Sequence, residues 1–204
     1  MSSSDIQSTF IEAAAAGTQT VSANASDVGN NAAMTLTTDP NPYVTDQARK
    51  ITITAANNQS GISFTIVGLD ETATAATETL TGPAGGATVT STKYYSSVTS
   101  ITAVGNPQDA SGNISAGTGA DIAAPIYRGD LRMRGMYAVN TGTAGTINFT
   151  QGSASGTSRL KFNTVAAANT TQYPDIPEDG VVFRNGGYIV FDQTKLSSIT
   201  VFYA

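Results

Sequence analysis

The amino-acid sequence predicts an all-β protein made of two small β-sandwich or barrel-like domains and an extended N-terminal arm. The first observation behind this prediction is an alternation of β-branched or aromatic residues with polar ones at residues 51–55 and 62–66. A period of two is typical of half-buried antiparallel strands. The second observation is that clusters of turn-forming residues separate these runs, as at 57–61 and 82–86. The chain is therefore expected to fold as many short strands joined by turns.

Residues 1–31 are rich in Ser, Ala and Asn and form the predicted arm. Within the arm, residues 6–16 fit a short helical pattern. The apolar face of such a helix would contain only Ile6, Phe10 and Ile11. Because so few apolar contacts do not stabilise a short helix alone, we expect these residues to order the arm against a neighbouring subunit or against the body of the protein. A frayed terminus is the alternative.

The first domain is predicted over residues 32–118. After a first strand at 33–36, its strands are expected at 51–55, 62–66, 79–81, 88–92 and 94–104. Val98 and Ile101 lie three positions apart in the last of these strands, which breaks the alternation. A β-bulge between them would return both side chains to one face of the sheet.

The central stretch, ITIT…SGISFTIVG…ETLTGPAGG…STKYYSSVTSIT, resembles a module that recurs in virion proteins of tailed bacteriophages. In that module a hairpin leads to a Gly-Pro turn and then to a long strand. The end of the chain, from PDIPEDGVVFRNGGYIVF to SITVFYA, resembles the closing strands of small phage structural proteins. Tyr95 stands where the module usually has Phe, and residues 70–76 are Ala/Thr-rich rather than Gly-rich. The resemblance implies a virion component, made in the cytoplasm of a host bacterium, without fixing its position on the particle.

The second domain is predicted over residues 119–204, because the composition changes after the Gly-Thr-Gly sequence at 117–119. Its strands are expected at 145–151, 158–163, 181–183, 188–191 and 198–203. Asn185, Gly186 and Gly187 tolerate positive φ angles, so they predict a hairpin turn between the VVF and YIVF strands that flank them.

The VVF and YIVF strands are apolar in succession rather than alternating. That pattern indicates cover on both faces, by the partner sheet on one side and by another subunit on the other. The sequence therefore predicts a homo-oligomer in which Val182, Tyr188 and Val190 contact a neighbouring copy.

Two arginines, Arg132 and Arg134, alternate with Leu131 and Met133 in a predicted strand. They form either a solvated face or a contact with an acidic surface on a neighbouring subunit or shell protein. The Arg-Gly-Asp sequence at 128–130 spells a cell-adhesion tripeptide, but its flanks predict a plain turn between strands.

Composition argues against two classes of partner. Charged residues make up 12% of the 204 residues, against about 25% in ordinary soluble domains. A neutral, hydroxyl-rich surface suits either a protein packed beside many copies of itself or an ordinary Thr-rich β-protein. The net charge is −5 and the ten basic residues are scattered, so nucleic acid is not an expected partner. No run of about 18 apolar residues is present, so a membrane is not expected either.

Catalytic and cofactor chemistry find little support in the sequence. The chain has no Cys and no His, which removes thiolate ligands and the commonest general base and metal ligand. Carboxylates flank two loops without the alternating spacing of a calcium loop. They are Asp70, Glu71 and Glu78 in one loop and Asp175, Glu178 and Asp179 in the other. We therefore expect no enzyme activity, no metal site and no cofactor.

The expected function is structural. It is that of a capsid decoration or cement protein, favoured as a trimer, that stabilises a phage head by binding between shell subunits. The expected partners are the major capsid protein or other virion proteins, and the expected location is the virion. A neck, tail or fibre-attachment component of the virion is the alternative, and a receptor- or glycan-binding β-module is the second alternative. Clustered exposed aromatics would favour the binding module, whereas Tyr94, Tyr95, Tyr127 and Tyr173 are dispersed along the chain.

Overall fold

The computed structural model describes residues 6–25, 32–37, 42–105 and 113–204. These residues form fourteen strands and no helix, and the strands pair into two antiparallel sheets. The prediction of an all-β protein is confirmed. The strands are β1 (Gln7–Glu12), β2 (Gly17–Ala25), β3 (Tyr43–Ala55), β4 (Ile62–Asp70), β5 (Ala75–Thr81), β6 (Thr88–Gly105), β7 (Ile114–Tyr127), β8 (Leu131–Asn140), β9 (Gly145–Gln151), β10 (Thr157–Thr164), β11 (Thr171–Gln172), β12 (Val181–Phe183), β13 (Gly187–Asp192) and β14 (Leu196–Tyr203).

The chain divides into two compact units. Unit 1 contains Met1–Ala14 and Asp121–Ala204, and unit 2 contains Ala15–Ala120. The division between 120 and 121 falls inside strand β7, two residues beyond the boundary predicted from composition. Residues 117–119 are therefore part of a continuous strand and not a linker.

Unit 2 is a sheet with the strand order β7-β3-β6-β4-β5, in which β2 also pairs with β7. Its apolar core contains the alternating side chains that the sequence indicates, Ile51, Ile53, Ile62, Phe64 and Ile66, all of them buried. The intervening Thr and Ser residues of β3 and β4 point away from this core and are partly exposed.

The turns of unit 2 do not join the strands that the sequence suggests. The segments at 57–61 and 82–86 each connect strands that are not neighbours, because β6 lies between β3 and β4, and β4 lies between β6 and β5. The expectation of a hairpin across 57–61 is therefore wrong. The hairpin of this unit joins β4 to β5, and Asp70 closes it by accepting hydrogen bonds from the backbone N–H groups of Thr72 (2.8 Å) and Thr74 (2.9 Å).

The β-bulge predicted between Val98 and Ile101 is confirmed. Val67 pairs with Ser100 but the next residue, Gly68, pairs with Val98, so one residue of β6 is left out of the ladder. Val98 and Ile101 are consequently both buried in the core. Glycine is required at 68, because a Cβ atom there would collide with the carbonyl oxygen of Ser97.

Tyr95 is fully buried in unit 2, and its hydroxyl oxygen has no hydrogen-bond partner among the described residues. Burial and the nearby charge of Glu78 raise the pKa of this phenol well above its usual value, so the side chain is neutral. A buried polar atom without a partner costs about 1–3 kcal/mol. Phe fills nearly the same volume without that cost.

Tyr95→Phe is therefore expected to stabilise the protein, by about 1 kcal/mol. Chemical denaturation followed by circular dichroism measures this change. Tyr127→Phe, at an exposed tyrosine, is the matched control and should leave the free energy of unfolding unchanged. A loss of stability in Tyr95→Phe would show that its hydroxyl is hydrogen-bonded.

Residues 6–16 are not helical, so the predicted helical pattern is wrong. Residues 7–12 form strand β1, which pairs with β14 from Gln7–Tyr203 to Glu12–Ser198. The edge of an existing sheet supplies hydrogen-bond partners that so short a helix would lack in its first and last turns. The described part of the arm is thus ordered on its own chain, as β1 in unit 1 and β2 in unit 2.

The strand predicted at residues 33–36 is also wrong, since Ala33 makes only an isolated bridge to Thr102. The sequence also predicts a proline-containing turn at 38–42 and a loop at 105–113, and most of both segments lies outside the described residues.

Unit 1 contains a five-stranded sheet with the order β1-β14-β8-β11, in which β12 pairs with the start of β8. It also contains strands in the order β10-β9-β13 followed by the second part of β7. Side chains from both groups of strands share one apolar core, which includes Ile11, Met133, Phe149, Ile189 and Val201. Strands β9 and β12 have the predicted bounds.

The segment at 185–187 adopts the predicted backbone but not the predicted hairpin. Asn185 and Gly186 have positive φ angles of 59° and 105°. The strands on either side pair with different partners, β12 with β8 and β13 with β7 and β9. The turn therefore takes the chain from one sheet to the other, and the prediction of a VVF–YIVF hairpin is wrong.

Candidate interaction face

The side of the five-stranded sheet that points away from the core of unit 1 is the best candidate for a functional surface. In β8, Leu131 and Met133 are buried and Arg132 and Arg134 are not. An irregularity opposite Phe202 shifts the register, since Phe202 pairs with residue 135 and the next residue pairs with Met133. This shift keeps the apolar side chains of both halves of β8 in the core. We call this surface the outer face and define it by Phe10, Arg132, Arg134, Tyr137, Val182 and Phe202.

Aromatic side chains extend across the outer face from the edge strand β1 to β8. Phe10 of β1 is 60% exposed, and its partner in β14, Thr200, pairs in turn with Tyr137 of β8. Phe202 is 39% exposed and lies over Gly135, where a Cβ atom would be 3.7 Å from the ring. The outer face thus presents aromatic surface on three adjacent strands.

The two arginines lie at one end of the outer face. The Arg132 Nη1 donates a hydrogen bond to the backbone carbonyl of Asp179, and the Arg134 Nη1 donates one to the carbonyl of Glu178 at 2.8 Å. Both bonds go to carbonyl oxygens, and neither guanidinium makes an ion pair with a carboxylate within the parts of the chain that the structure describes. The two guanidinium groups at this end are therefore held in position by backbone carbonyls.

The sequence-predicted contact residues divide into two groups. Four of the eight, Phe10, Arg132, Arg134 and Val182, lie together on the outer face, and Val182 pairs directly with Arg132. The other four lie elsewhere, Ile6 exposed just before β1, Ile11 and Tyr188 buried, and Val190 partly buried in β13.

The burial of Tyr188 bears on the predicted subunit contact. Strand β13 lies between β7 and β9, and Tyr188 is buried within this chain. The apolar sequence pattern predicts that a neighbouring subunit buries Tyr188. At this position, residues of the same chain already bury the side chain.

Tyr137 and Phe202 were not identified from the sequence. The signal was present for Phe202, because Thr200 and Phe202 alternate with Ile199, Val201 and Tyr203. A large aromatic residue on the polar side of an alternating strand marks exposed apolar surface.

The Arg-Gly-Asp tripeptide is the turn that the sequence predicts, between β7 and β8. Asp130 accepts a hydrogen bond from the backbone N–H of Asn185 (2.9 Å) and pairs with Arg184 (3.0 Å). These two contacts hold the pKa of the Asp130 carboxyl below its usual value. The carboxylate thus holds its own turn against the segment at 184–185.

Two of the carboxylates that flank loops, Glu78 and Asp70, have structural partners. Glu78 accepts hydrogen bonds from the backbone N–H groups of Thr92 (2.8 Å) and Lys93 (3.1 Å), and Asp70 closes the β4–β5 hairpin. Within residues 6–25, 32–37, 42–105 and 113–204, no three Asp or Glu side chains come close enough together to hold a metal ion. The same ranges contain no helix of the length and hydrophobicity needed to span a membrane.

Comparison of the sequence with models of protein families finds no match, and a search among curated proteins finds no match either.

Proposed function

We propose that this chain is a structural protein of a bacteriophage virion, and that it attaches to the shell through the outer face of unit 1. The observation that carries the proposal is the combination, on one sheet face, of exposed aromatic side chains with two arginines that form no ion pair with any carboxylate of the described residues. Aromatic residues and arginine are the residue types enriched where proteins bind one another. The resemblance of residues 51–102 to a phage virion module supports the choice of particle.

The edge of the sheet supplies a second element of the attachment. Strand β1 pairs with β14 on one side, and no other described strand pairs with it. Edge strands of this kind can add a strand from another chain. Phe10 lies on this strand, so an added strand and the outer face would form one continuous contact.

The role that we favour is that of a decoration or cement protein that binds between subunits of the major capsid protein. In this role the chain acts as a homo-oligomer, with a trimer as the favoured state. Several weak contacts made at once by a trimer give an avidity that one contact does not. A neck, tail or fibre-attachment component would use the same face at a lower copy number.

Copy number in purified particles tests the role. We expect quantitative mass spectrometry to find this chain in a simple ratio to the major shell protein. A dozen copies per particle, or a few dozen, would instead indicate a neck, tail or fibre component. Absence of the chain from the particles would overturn the proposal.

Substitution on the outer face tests the surface. Charge reversal in the double variant Arg132→Glu/Arg134→Glu is expected to lower the amount of protein bound to particles by about tenfold or more. The reason is that the new carboxylates would then face the acidic surface of the shell that the arginines are proposed to contact. Phe10→Ser is also expected to lower the amount of protein bound, because it removes an exposed aromatic side chain from the outer face. Val44→Ser, at an exposed apolar residue of unit 2, is the matched control. Equal binding by all three variants and the wild type would contradict the role of the outer face.

A further inference from the structure

Strand β1 is the open edge of the five-stranded sheet, because it pairs with β14 and with no other described strand. Backbone N–H and C=O groups along a strand point alternately to its two sides. On β14, Ala204 exchanges hydrogen bonds with Arg132 of β8 at 2.8 and 3.0 Å. The neighbouring residue Tyr203 therefore points its backbone groups to its partner in β1, Gln7. By the same alternation, Ser8 and every second residue from it point their N–H and C=O groups to the open edge.

The other long edges in the described parts of the chain are protected against pairing with another strand. Edge strand β10 carries Arg159 and Lys161, both exposed, and its register is interrupted. At the edge of β5, the ammonium group of Lys93 donates a hydrogen bond to the carbonyl of Thr77 at 2.9 Å. Strand β2 has hydrogen bonds to residues 35–37 in addition to its pairing with β7. Charged side chains and irregularities of this kind are the usual means by which proteins prevent association between sheet edges.

Strand β1 has none of these protections. Its six residues pair with β14 in unbroken register, and the first five carry no charge. Ile6, just before the strand, and Phe10 are each 60% exposed, and Ser8, midway between them, is exposed too. These three side chains point to the same face of the sheet, because they are two positions apart. The edge thus offers a large apolar, a small and a large apolar side chain in a symmetrical order.

We propose that two copies of this chain associate through antiparallel pairing of their β1 edges about a twofold axis at Ser8. The two Ser8 residues then lie opposite each other, and Ile6 of each copy lies opposite Phe10 of the other. Pairs of an aromatic and a β-branched residue directly opposite each other on antiparallel strands are stabilising. The pairing gives partners to the open backbone groups of all three residues and continues one sheet across both copies.

The other registers that keep the outer faces of the two copies on one side of the joined sheet fit less well. With the axis at Thr9, Ile6 of one copy would lie opposite the carboxylate of Glu12 of the other. With the axis at Phe10, Ser8 would lie opposite Glu12, and Ile6 would lie opposite a residue beyond the end of β1. The axis at Ser8 leaves Glu12 outside the paired residues 6–10, so no carboxylate lies opposite an apolar side chain.

This association is independent of the proposed attachment to a shell, because it involves only copies of this chain. It commits the edge of β1 to a second copy and leaves the outer face to the other partner. A twofold contact pairs two copies, so it adds to the trimer favoured above and does not form it.

Sedimentation of the full-length protein over a dilution series tests the association. We expect the wild type to have about twice the mass of Ser8→Lys, because two ammonium groups would lie opposite each other and weaken the association by about tenfold or more. Thr171→Lys is the matched control, since Thr171 is exposed on β11, the strand at the other end of the same sheet. It should associate as the wild type does. Equal masses for the wild type and Ser8→Lys at every concentration, including those of a trimer that Ser8→Lys leaves intact, would overturn the proposal.

A cysteine at the axis tests the register. The chain contains no Cys, so Ser8→Cys introduces a single thiol. Opposite residues that exchange hydrogen bonds have Cα atoms about 5.5 Å apart, a separation that a disulfide spans. We expect oxidised Ser8→Cys to run as a covalent dimer on a non-reducing gel and Thr171→Cys to run as a monomer.

Absence of the covalent dimer would overturn the pairing at Ser8. Thermal unfolding of each variant verifies that it is folded. Particle binding is measured separately with the outer-face variants, so failure of the twofold contact and failure of the proposed function are distinguishable.

Discussion

Replacing Ile11 with alanine is expected to destabilise unit 1 by about 2–5 kcal/mol, the usual cost of removing a large aliphatic side chain from a packed core. Ile11 is 2% exposed and belongs to the core cluster that both groups of strands share. Its loss also weakens the attachment of β1, which among the described strands has a backbone ladder only with β14.

The neighbouring residue supplies the control for this experiment. Phe10 lies on the opposite side of the same strand and is exposed, so Phe10→Ala should change the free energy of unfolding by about 0.5 kcal/mol or less. Urea denaturation measures both variants. Equal effects at 10 and 11 would show that β1 does not pack on unit 1 as described. The two variants also distinguish an effect on stability from an effect on particle binding, because Phe10 lies on the outer face and Ile11 does not.

Replacing Asp46 with alanine is expected to destabilise unit 2 by about 3 kcal/mol, because it removes the carboxylate that accepts two hydrogen bonds from the buried Arg49 guanidinium. Arg49 is buried, with its side chain only 1% exposed, and its Nε and Nη2 donate to the two oxygens of Asp46 at 2.7 and 3.0 Å. The Arg49 Nη1 donates to the carbonyl of Gly119 at 3.1 Å, which connects β3 to β7. We place the effect at the lower end of the range for buried ion pairs because Asp46 is 32% exposed.

The double variant Asp46→Ala/Arg49→Met distinguishes the effect of the lost ion pair from the effect of lost packing. Methionine fills much of the space without a charge, and replacing a whole buried ion pair by apolar groups is often close to neutral. We expect the double variant to be more stable than Asp46→Ala alone. Thermal unfolding of the two variants and the wild type provides the comparison. A double variant less stable than the single one would mean that the guanidinium contributes mainly through its bond to β7.

The alternation of side chains was sufficient to predict which residues are buried at 51–55, 62–66 and 131–134, because the period of two fixes the face of a residue without reference to its neighbours. The bulge at Val98 and Ile101 was predictable for the same reason. The pairing of strands was not predictable. The residues at 57–61 and 185–187 favour a reversal of the chain, and a reversal leads equally well to a neighbouring strand, a more distant one or a different sheet.

The first strand shows why a short segment is ambiguous. Ile6, Phe10 and Ile11 fit one face of a helix, but in β1 the adjacent Phe10 and Ile11 lie on opposite sides. The partner that decides between the two conformations is β14, at the far end of the sequence. The candidate site depends on the same long-range pairing, since Phe10 and Arg132 share a face only because β14 lies between β1 and β8.

The pairing of β1 with β14 also has a consequence for how the protein is made. During translation, residues 7–12 emerge from the ribosome long before residues 198–203, their partners in the ladder, have been synthesised. Unit 2 lies between these two segments in the sequence, so its strands can pair before β14 has been synthesised, when β1 still has no strand to pair with. Contacts so distant in sequence are slow to form, and a strand that waits with an apolar side chain exposed is prone to association with other chains. The rate of translation through residues 121–204 therefore sets how long nascent chains remain liable to aggregate.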